Sequence, residues 1–184
     1  MNNQLINRLN ILGLLGITTI LATGSIIQLV FKELPCPLCL LQRVGFMMVM
    51  FGFMLNVRYG PQQPHYGIIL FGALFGATAA LRQVSLHLLP GDPGYGSPLL
   101  GMHYYTWAFV IFVMTIIGVA VLLSLWHQPK TTTSNYHMKS IGNIVCKLAV
   151  AVVIINIVST FIMTGPHVTP ADPHSYWLFD QFKK

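Results

Sequence analysis

Charged side chains are scarce in this sequence, and acidic ones are the scarcest. Aspartate and glutamate together number 4 among 184 residues, and charged residues make up 8% of the chain against 54% hydrophobic residues. An ordinary soluble domain carries about 25% charged residues, so that class is excluded. The composition predicts an integral membrane protein.

Basic clusters and cysteine scaffolds are also missing. The 10 basic residues, which give a formal net charge of +6, stand singly between apolar runs and form no stripe. This distribution argues against nucleic acid as a partner. Three cysteines are too few for a disulfide scaffold, so each one must be judged by its position.

Long apolar runs are what the sequence does contain, and each can cross a hydrocarbon core of about 30 Å. They predict an all-α integral membrane protein: a bundle of four transmembrane helices with a fifth span towards the C-terminus. The first run exceeds the usual signal-peptide core of about 7–15 residues and lacks a convincing cleavage site, so we expect it to be retained. The predicted spans are residues 11–31, 40–57, 67–86, 106–126 and 144–164.

The segments between the spans complete the predicted organisation. Residues 1–126 form the four-helix core, with a tight loop at 58–66 and a longer, breaker-rich outer loop at 87–104. Residues 127–143 are a cytoplasmic linker, and residues 165–184 are an outer tail. Placing the N-terminus inside puts more of the basic residues on the cytoplasmic side, so the loop before span two faces the other compartment.

A Cys-x-x-Cys pair, Cys36 and Cys39, stands where the first span has ended and the second begins. Two cysteines at a helix start can close a small disulfide, and the helix amides favour a thiolate there. Pro37 suits a first helical turn. Arg43 follows about one turn deeper on the same face, and a cation at membrane depth is a functional hypothesis by default.

Three interpretations of this pair remain open from the residues alone. A static disulfide would stabilise little, because the loop that it closes is very short. A metal site would need His87 and His103 to complete the ligands, and we predict none. In the redox interpretation, Cys36 lies farther out and meets an incoming thiol, while Cys39 passes electrons to a lipid-soluble acceptor.

The stretch Cys-Pro-Leu-Cys-Leu-Leu-Gln-Arg after a first span resembles the DsbB family of quinone-dependent thiol oxidases. Cys36, Cys39 and Arg43 fit the family positions one for one. The resemblance covers roughly residues 11–126 and includes Leu-Arg-Gln at 81–83 and Gly-Tyr-Gly-Ser-Pro at 94–98.

The resemblance implies an enzyme of the bacterial inner membrane that reoxidises a periplasmic thioredoxin-like dithiol protein of the DsbA kind. It implies ubiquinone or menaquinone as electron acceptor, polarised by Arg43. We add Arg82, His87 and His103 as candidate quinone contacts. A thiol carrier resembling vitamin K epoxide reductase and a non-catalytic membrane scaffold are the alternatives.

One departure from the family concerns the outer loop. Typical members carry a second cysteine pair there, whereas residues 87–104 contain no cysteine. Cys146 is expected at the opposite membrane face, about 30 Å away, and cannot substitute for that pair.

Overall fold

The computed structural model of the chain describes residues 3–88, 91, 94–125, 140–166 and 176–182. Within those ranges the chain forms six α-helices and one antiparallel pair of very short β-strands. The elements in chain order are α1 (Asn3–Val30), α2 (Pro37–Tyr59), α3 (Gln63–Leu86), β1 (Pro98–Leu99), β2 (Met102–His103), α4 (Tyr104–Leu125), α5 (Ser140–Thr164) and α6 (Trp177–Phe182).

Among the described helices, five are long and apolar enough to cross a membrane, and these are α1 to α5. The predicted all-α membrane fold with a fifth span is therefore confirmed. Successive spans run in alternating directions. We call the end where α1, α3 and α5 finish and α2 and α4 begin the cysteine end, and the other the opposite end.

Helix α1 begins earlier than the predicted span, at Asn3 instead of residue 11. Its first turns are anchored at the opposite end of the bundle, because Ile6 and Asn10 are buried one turn apart. The Asn10 amide donates a hydrogen bond of 2.8 Å to the Tyr66 hydroxyl. The polar start of the sequence is thus helix packed against α3.

The tight loop between α2 and α3 is shorter than predicted. It comprises residues 60–62 instead of 58–66, since α2 continues to Tyr59 and α3 starts at Gln63. Pro64 lies in the first turn of α3, where a missing N–H costs no helical hydrogen bond.

Helix α5 begins at Ser140, so it takes over the end of the predicted linker 127–143. Residues 127–139 of that linker lie outside the described residues, as do Trp126 at the predicted end of span four and residues 167–175 of the predicted tail. Residues 89–90 and 92–93 of the outer loop also lie outside them.

Glycines bring α2 and α3 into close contact. A Cβ added to Gly45 would lie 2.7 Å from the Gly76 Cα atom, and one added to Gly72 would lie 2.6 Å from the Met48 Cβ atom. In a lipid bilayer, helices gain little by burying apolar side chains against each other, because the lipid is itself apolar. Close van der Waals packing therefore supplies much of the attraction between helices. The small residues therefore fix how the start of α2 stands against the end of α3.

We predict that Gly45→Ala destabilises the protein by about 1–3 kcal/mol, because the added methyl group meets backbone atoms of α3 that cannot yield without separating the helices. Unfolding in mixed detergent micelles, followed by circular dichroism, measures the change.

The matched control is Gly118→Ala on α4, where an added Cβ meets nothing within 4 Å. This variant should be neutral or more stable by about 0.5–1 kcal/mol, the ordinary gain from alanine in a helix. Equal effects of the two substitutions would contradict the close contact.

Candidate active site

Cys36 and Cys39 occupy the start of α2. Cys36 is the N-cap residue, with extended backbone angles, and its sulfur accepts a hydrogen bond from the Cys39 backbone N–H at 3.2 Å. The two sulfur atoms lie 2.7 Å apart. A cysteine thus takes the place that a serine or aspartate fills in most helix caps, and its sulfur pairs with a first-turn amide that has no acceptor within the helix.

A glutamine from α3 contacts both sulfurs. The Gln83 side-chain amide nitrogen lies 3.3 Å from the Cys36 sulfur and 3.5 Å from the Cys39 sulfur. Its amide oxygen accepts a hydrogen bond of 2.7 Å from the Gln42 side chain, which fixes which way the amide points. Both glutamines are buried, so this arrangement gives the sulfurs donors that water does not supply.

Neither glutamine was assigned a role from the sequence. The available signal was a polar amide inside an apolar span, three residues after Cys39 for Gln42 and next to Arg82 for Gln83. Their meeting depends on how α2 packs on α3.

The residues around the cysteine pair shift the pKa of the Cys36 thiol. The hydrogen bond with the Cys39 sulfur, followed by burial, raises the pKa of the Cys36 thiol above its ordinary value. Backbone amides of Cys39 and Leu38 act in the opposite direction but do not outweigh these effects. The surroundings therefore disfavour the thiolate form of Cys36.

Arg43 lies one turn deeper than Cys39 on α2, and neutral groups hold its guanidinium. One terminal nitrogen donates to the Gln28 amide oxygen at 2.6 Å and to the Asn156 amide oxygen at 3.4 Å. The other donates to the Gly24 carbonyl at 2.9 Å. Among the described residues, no carboxylate pairs with this cation, so its charge is not cancelled.

A cavity of about 290 Å³ opens between α1, α2, α4 and the outer loop. Cys39 and Arg43 both line it, whereas Cys36 does not and is only 6% exposed. Apart from these two, the Glu33 carboxylate and a few polar groups, the walls are aliphatic and aromatic, as in sites for small apolar ligands. The lining residues are Thr19, Ile20, Leu21, Thr23, Gly24, Ile27, Glu33, Leu34, Pro35, Cys39, Gln42, Arg43, Phe46, Tyr95, Gly96, Leu99, Tyr104, Tyr105, Trp107, Ala108 and Ile111.

The outer loop is attached to the segment that precedes the cysteines. The Tyr95 hydroxyl donates a hydrogen bond of 2.6 Å to the Leu34 carbonyl. The Ser97 hydroxyl and backbone N–H both donate to the Glu33 carboxylate. These bonds hold the loop against residues 33–34, so that it forms the outer wall of the cavity.

The other predicted contact residues stand farther from the cavity. Arg82 is exposed near the end of α3 and is not among the lining residues. His87 and His103 both stack on the ring of Tyr105, with centroids 5.5 and 5.3 Å away. Tyr105 itself lines the cavity, and His103 also lies 3.2 Å from the carbonyl oxygen of Gly96, another lining residue. A quinone-binding role for all three stays a prediction.

Cys146 lies apart from the pair. It is buried near the start of α5, and Arg58, in the last turn of α2, is the charge that acts on it. It therefore stands at the opposite end. Within the described ranges, no three His, Cys, Asp or Glu side chains come together in a way that would hold a metal ion.

These features define a membrane protein with a cysteine pair beside an apolar cavity. Comparison with known proteins narrows the class. A family model described as "Disulfide bond formation protein DsbB" matches residues 6–96. No solved structure matches the chain.

Several curated relatives carry the name "Disulfide bond formation protein B". One from Xanthomonas campestris pv. campestris (strain 8004) is 30% identical over 115 residues, which covers 59% of this chain and 67% of the relative. One from Chromobacterium violaceum is 41% identical over 64 residues, covering 33% of this chain and 39% of the relative. One from Nitrosomonas eutropha is 37% identical over 68 residues, covering 35% and 42%.

The chain belongs to the DsbB family of disulfide bond formation proteins. It is thus a multi-pass membrane disulfide oxidoreductase, and the resemblance stated from the sequence is confirmed. Helix α5 lies wholly outside the matched residues 6–96.

We predict that Gln83→Leu slows alkylation of the reduced pair at neutral pH, because the lost amide donor leaves the thiolate form less stabilised. A hydrogen bond to a charged group contributes about 1.5–3 kcal/mol, so a slowing of about tenfold or more is expected. The rate is measured with a small maleimide in a Cys146→Ser background.

Ser85→Ala is the control on the same helix, since its exposed hydroxyl bonds only to the carbonyl of residue 81. It should react like the parent. An unchanged rate in Gln83→Leu would mean that the glutamine serves packing alone.

Proposed function

We propose that this chain reoxidises a periplasmic thioredoxin-like dithiol protein of the DsbA kind and delivers the electrons through Cys36 and Cys39 to a membrane quinone. The quinone is ubiquinone or menaquinone, and the reaction supports disulfide bond formation. The observation that carries the proposal is that Cys39 and the cation Arg43, which meets no carboxylate among the described residues, line the same apolar cavity at the end of the bundle.

The two cysteines take different parts in the exchange. A thiolate of the partner attacks the Cys36 sulfur of the oxidised pair, which forms a mixed disulfide and releases Cys39 as a thiolate. The second thiol of the partner then attacks the partner sulfur that is bonded to Cys36. The partner leaves as a disulfide, and Cys36 is released. The partner has lost two electrons and two protons, and the pair of this chain is reduced.

The geometry supports Cys39 as the leaving sulfur. The Gln83 amide nitrogen contacts both sulfurs, but of the two cysteines Cys39 is the one in the first turn of α2, where the helix dipole favours negative charge. Arg43 adds a cation one turn away. Each of these groups favours the thiolate, so release of Cys39 needs no proton.

The cavity residues fit a quinone headgroup. Phe46, Trp107 and Ile111 offer flat apolar walls, and Arg43 offers a donor cation in a site of low dielectric. A bound quinone supplies a two-electron acceptor whose oxygens gain negative charge, which a fixed cation stabilises. We also propose outer contacts to the quinone from Arg82, His87 and His103. The two histidines act around Tyr105, and Arg82 acts from the rim of the cavity.

Charge distribution supports the proposed orientation in a bacterial inner membrane, with the cysteine end towards the periplasm. Arg8, Arg58 and Lys147 stand at the opposite end of α1, α2 and α5, whereas Lys32 and Arg82 stand at the cysteine end. The bias agrees with the positive-inside rule. An oxidising compartment on the cysteine side suits a disulfide at this position.

The missing second cysteine pair makes Cys36 the direct point of exchange. Cys146 is at the opposite end, and the sequence has no further cysteine. Cys36 is only 6% exposed. A partner thiol therefore reaches its sulfur only after the residues around it move.

We predict that a Cys39→Ser variant accumulates a covalent adduct between Cys36 and a partner variant whose second thiol is replaced by serine. With Cys39 and the second partner thiol both removed, no thiol resolves the mixed disulfide, and a mild azo-type thiol oxidant withdraws the two electrons as the Cys36 thiol joins the remaining partner thiol. Non-reducing gels and mass spectrometry of the cross-linked peptides identify the bond.

Cys36→Ser should give no adduct, and adding Cys146→Ser to Cys39→Ser should not change the yield. If the partner joins Cys146, or joins nothing until a second membrane protein with a loop cysteine pair is added, direct exchange at Cys36 is wrong.

A further inference from the structure

We propose that Asn156 of α5 is a positioning residue that holds Arg43 towards the cavity, so that the fifth helix is part of the acceptor site. The inference rests on the proposed function, because it concerns how the same site binds its quinone. Helix α5 lies outside the residues matched by the family model, so this contribution belongs to a part of the chain that the family match does not cover.

Asn156 contacts the guanidinium from the side of α5. Its amide oxygen accepts from an Arg43 terminal nitrogen at 3.4 Å, while Gln28 accepts from the same nitrogen at 2.6 Å. Gly24 accepts from the second terminal nitrogen. Acceptors from α1 and α5 thus hold one cation of α2.

The orientation of the Asn156 amide is fixed by its other bonds. Its nitrogen donates to the Val152 carbonyl at 2.9 Å and lies 3.5 Å from the Leu21 carbonyl, and carbonyls can only accept. The amide oxygen is therefore the atom turned towards Arg43. Asn156 is fully buried, so water does not compete for it.

The end of α5 and the segment after it also contact Gln28. The Met163 sulfur lies 4.0 Å from the Gln28 amide nitrogen, and the Tyr176 hydroxyl donates to the Gln28 carbonyl at 3.3 Å. Helix α5 therefore acts on Arg43 twice, directly through Asn156 and indirectly through Gln28.

The chemistry of the acceptor matters as much as its position. A neutral amide orients an N–H group and leaves the positive charge uncompensated, whereas a carboxylate at the same place would cancel much of the field in a site of low dielectric. A buried polar side chain in a span also serves as glue between helices, which is the structural alternative. The two roles respond differently to substitution.

The test measures equilibrium binding of a short-chain benzoquinone and a short-chain naphthoquinone to the full chain in detergent. Binding is followed by quenching of tryptophan fluorescence, since Trp107 lies on the cavity wall. Cys36→Ser combined with Cys39→Ser serves as the background, so no turnover disturbs the titration. Thermal unfolding of every variant is measured in parallel.

We expect Asn156→Leu, which keeps the size and removes the polar atoms, to weaken quinone binding about 3- to 10-fold, the range of one net hydrogen bond. Arg43→Met should weaken it more. Asn156→Asp should bind more weakly than Asn156→Leu, because it cancels the charge, yet unfold at the higher temperature of the two, because it pairs with Arg43.

Ser159→Ala is the matched control on α5. Ser159 is buried one turn from Asn156, its hydroxyl donates to the Asn156 backbone carbonyl, and it is not among the hydrogen-bond partners of Arg43. It should bind both quinones like the parent.

The outcomes distinguish failure of the positioning role of Asn156 from failure of the proposed function. If the parent binds quinone and Arg43→Met weakens it, but Asn156→Leu binds within twofold of the parent, the positioning role is wrong and the proposed function stands. If quinone affinity and unfolding temperature fall in the same order across the variants, Asn156 has a structural role and the positioning role is also wrong. If the parent binds no quinone, or Arg43→Met binds as well as the parent, the proposed site is wrong and the inference falls with it.

Discussion

A guanidinium within the apolar bundle, held by neutral groups among the described residues, is the constraint on which the rest of the site depends. Arg43 would be costly in lipid unless its N–H groups found acceptors, and a carboxylate would remove the field that makes it useful. Gln28, Gly24 and Asn156 resolve this conflict with neutral oxygens. The cation stays charged beside Cys39, at the wall of an apolar cavity.

The bundle brings its elements together at this point for reasons that lie far from the cysteines. Gly45 and Gly72 let α2 approach α3, and that approach places Gln83 on both sulfurs. Helix α4 adds the cavity wall. The packing of α2 on α3 within the membrane thus determines how Gln83 and the two sulfurs are arranged near the membrane surface.

The spans, the cysteine pair and the cation one turn below it could be predicted, because each follows from local periodicity or spacing. Gln83 and Asn156 could not, because their partners are 44 and 113 residues distant in sequence. A buried amide looks alike in sequence whether it faces a sulfur, a cation or its own helix. The start of α1 was missed for the same reason, since Tyr66 of α3 anchors Asn10.

The central claim is that electrons pass from a dithiol protein through one cysteine pair to quinone. Its most direct measurement uses the purified chain alone in quinone-containing liposomes without oxygen, supplied with a reduced thioredoxin-like protein. Quinone loss and disulfide formation in that protein are followed together. We predict one disulfide for each quinone reduced. Disulfide formation without quinone loss, or no reaction until another membrane protein is added, would contradict it.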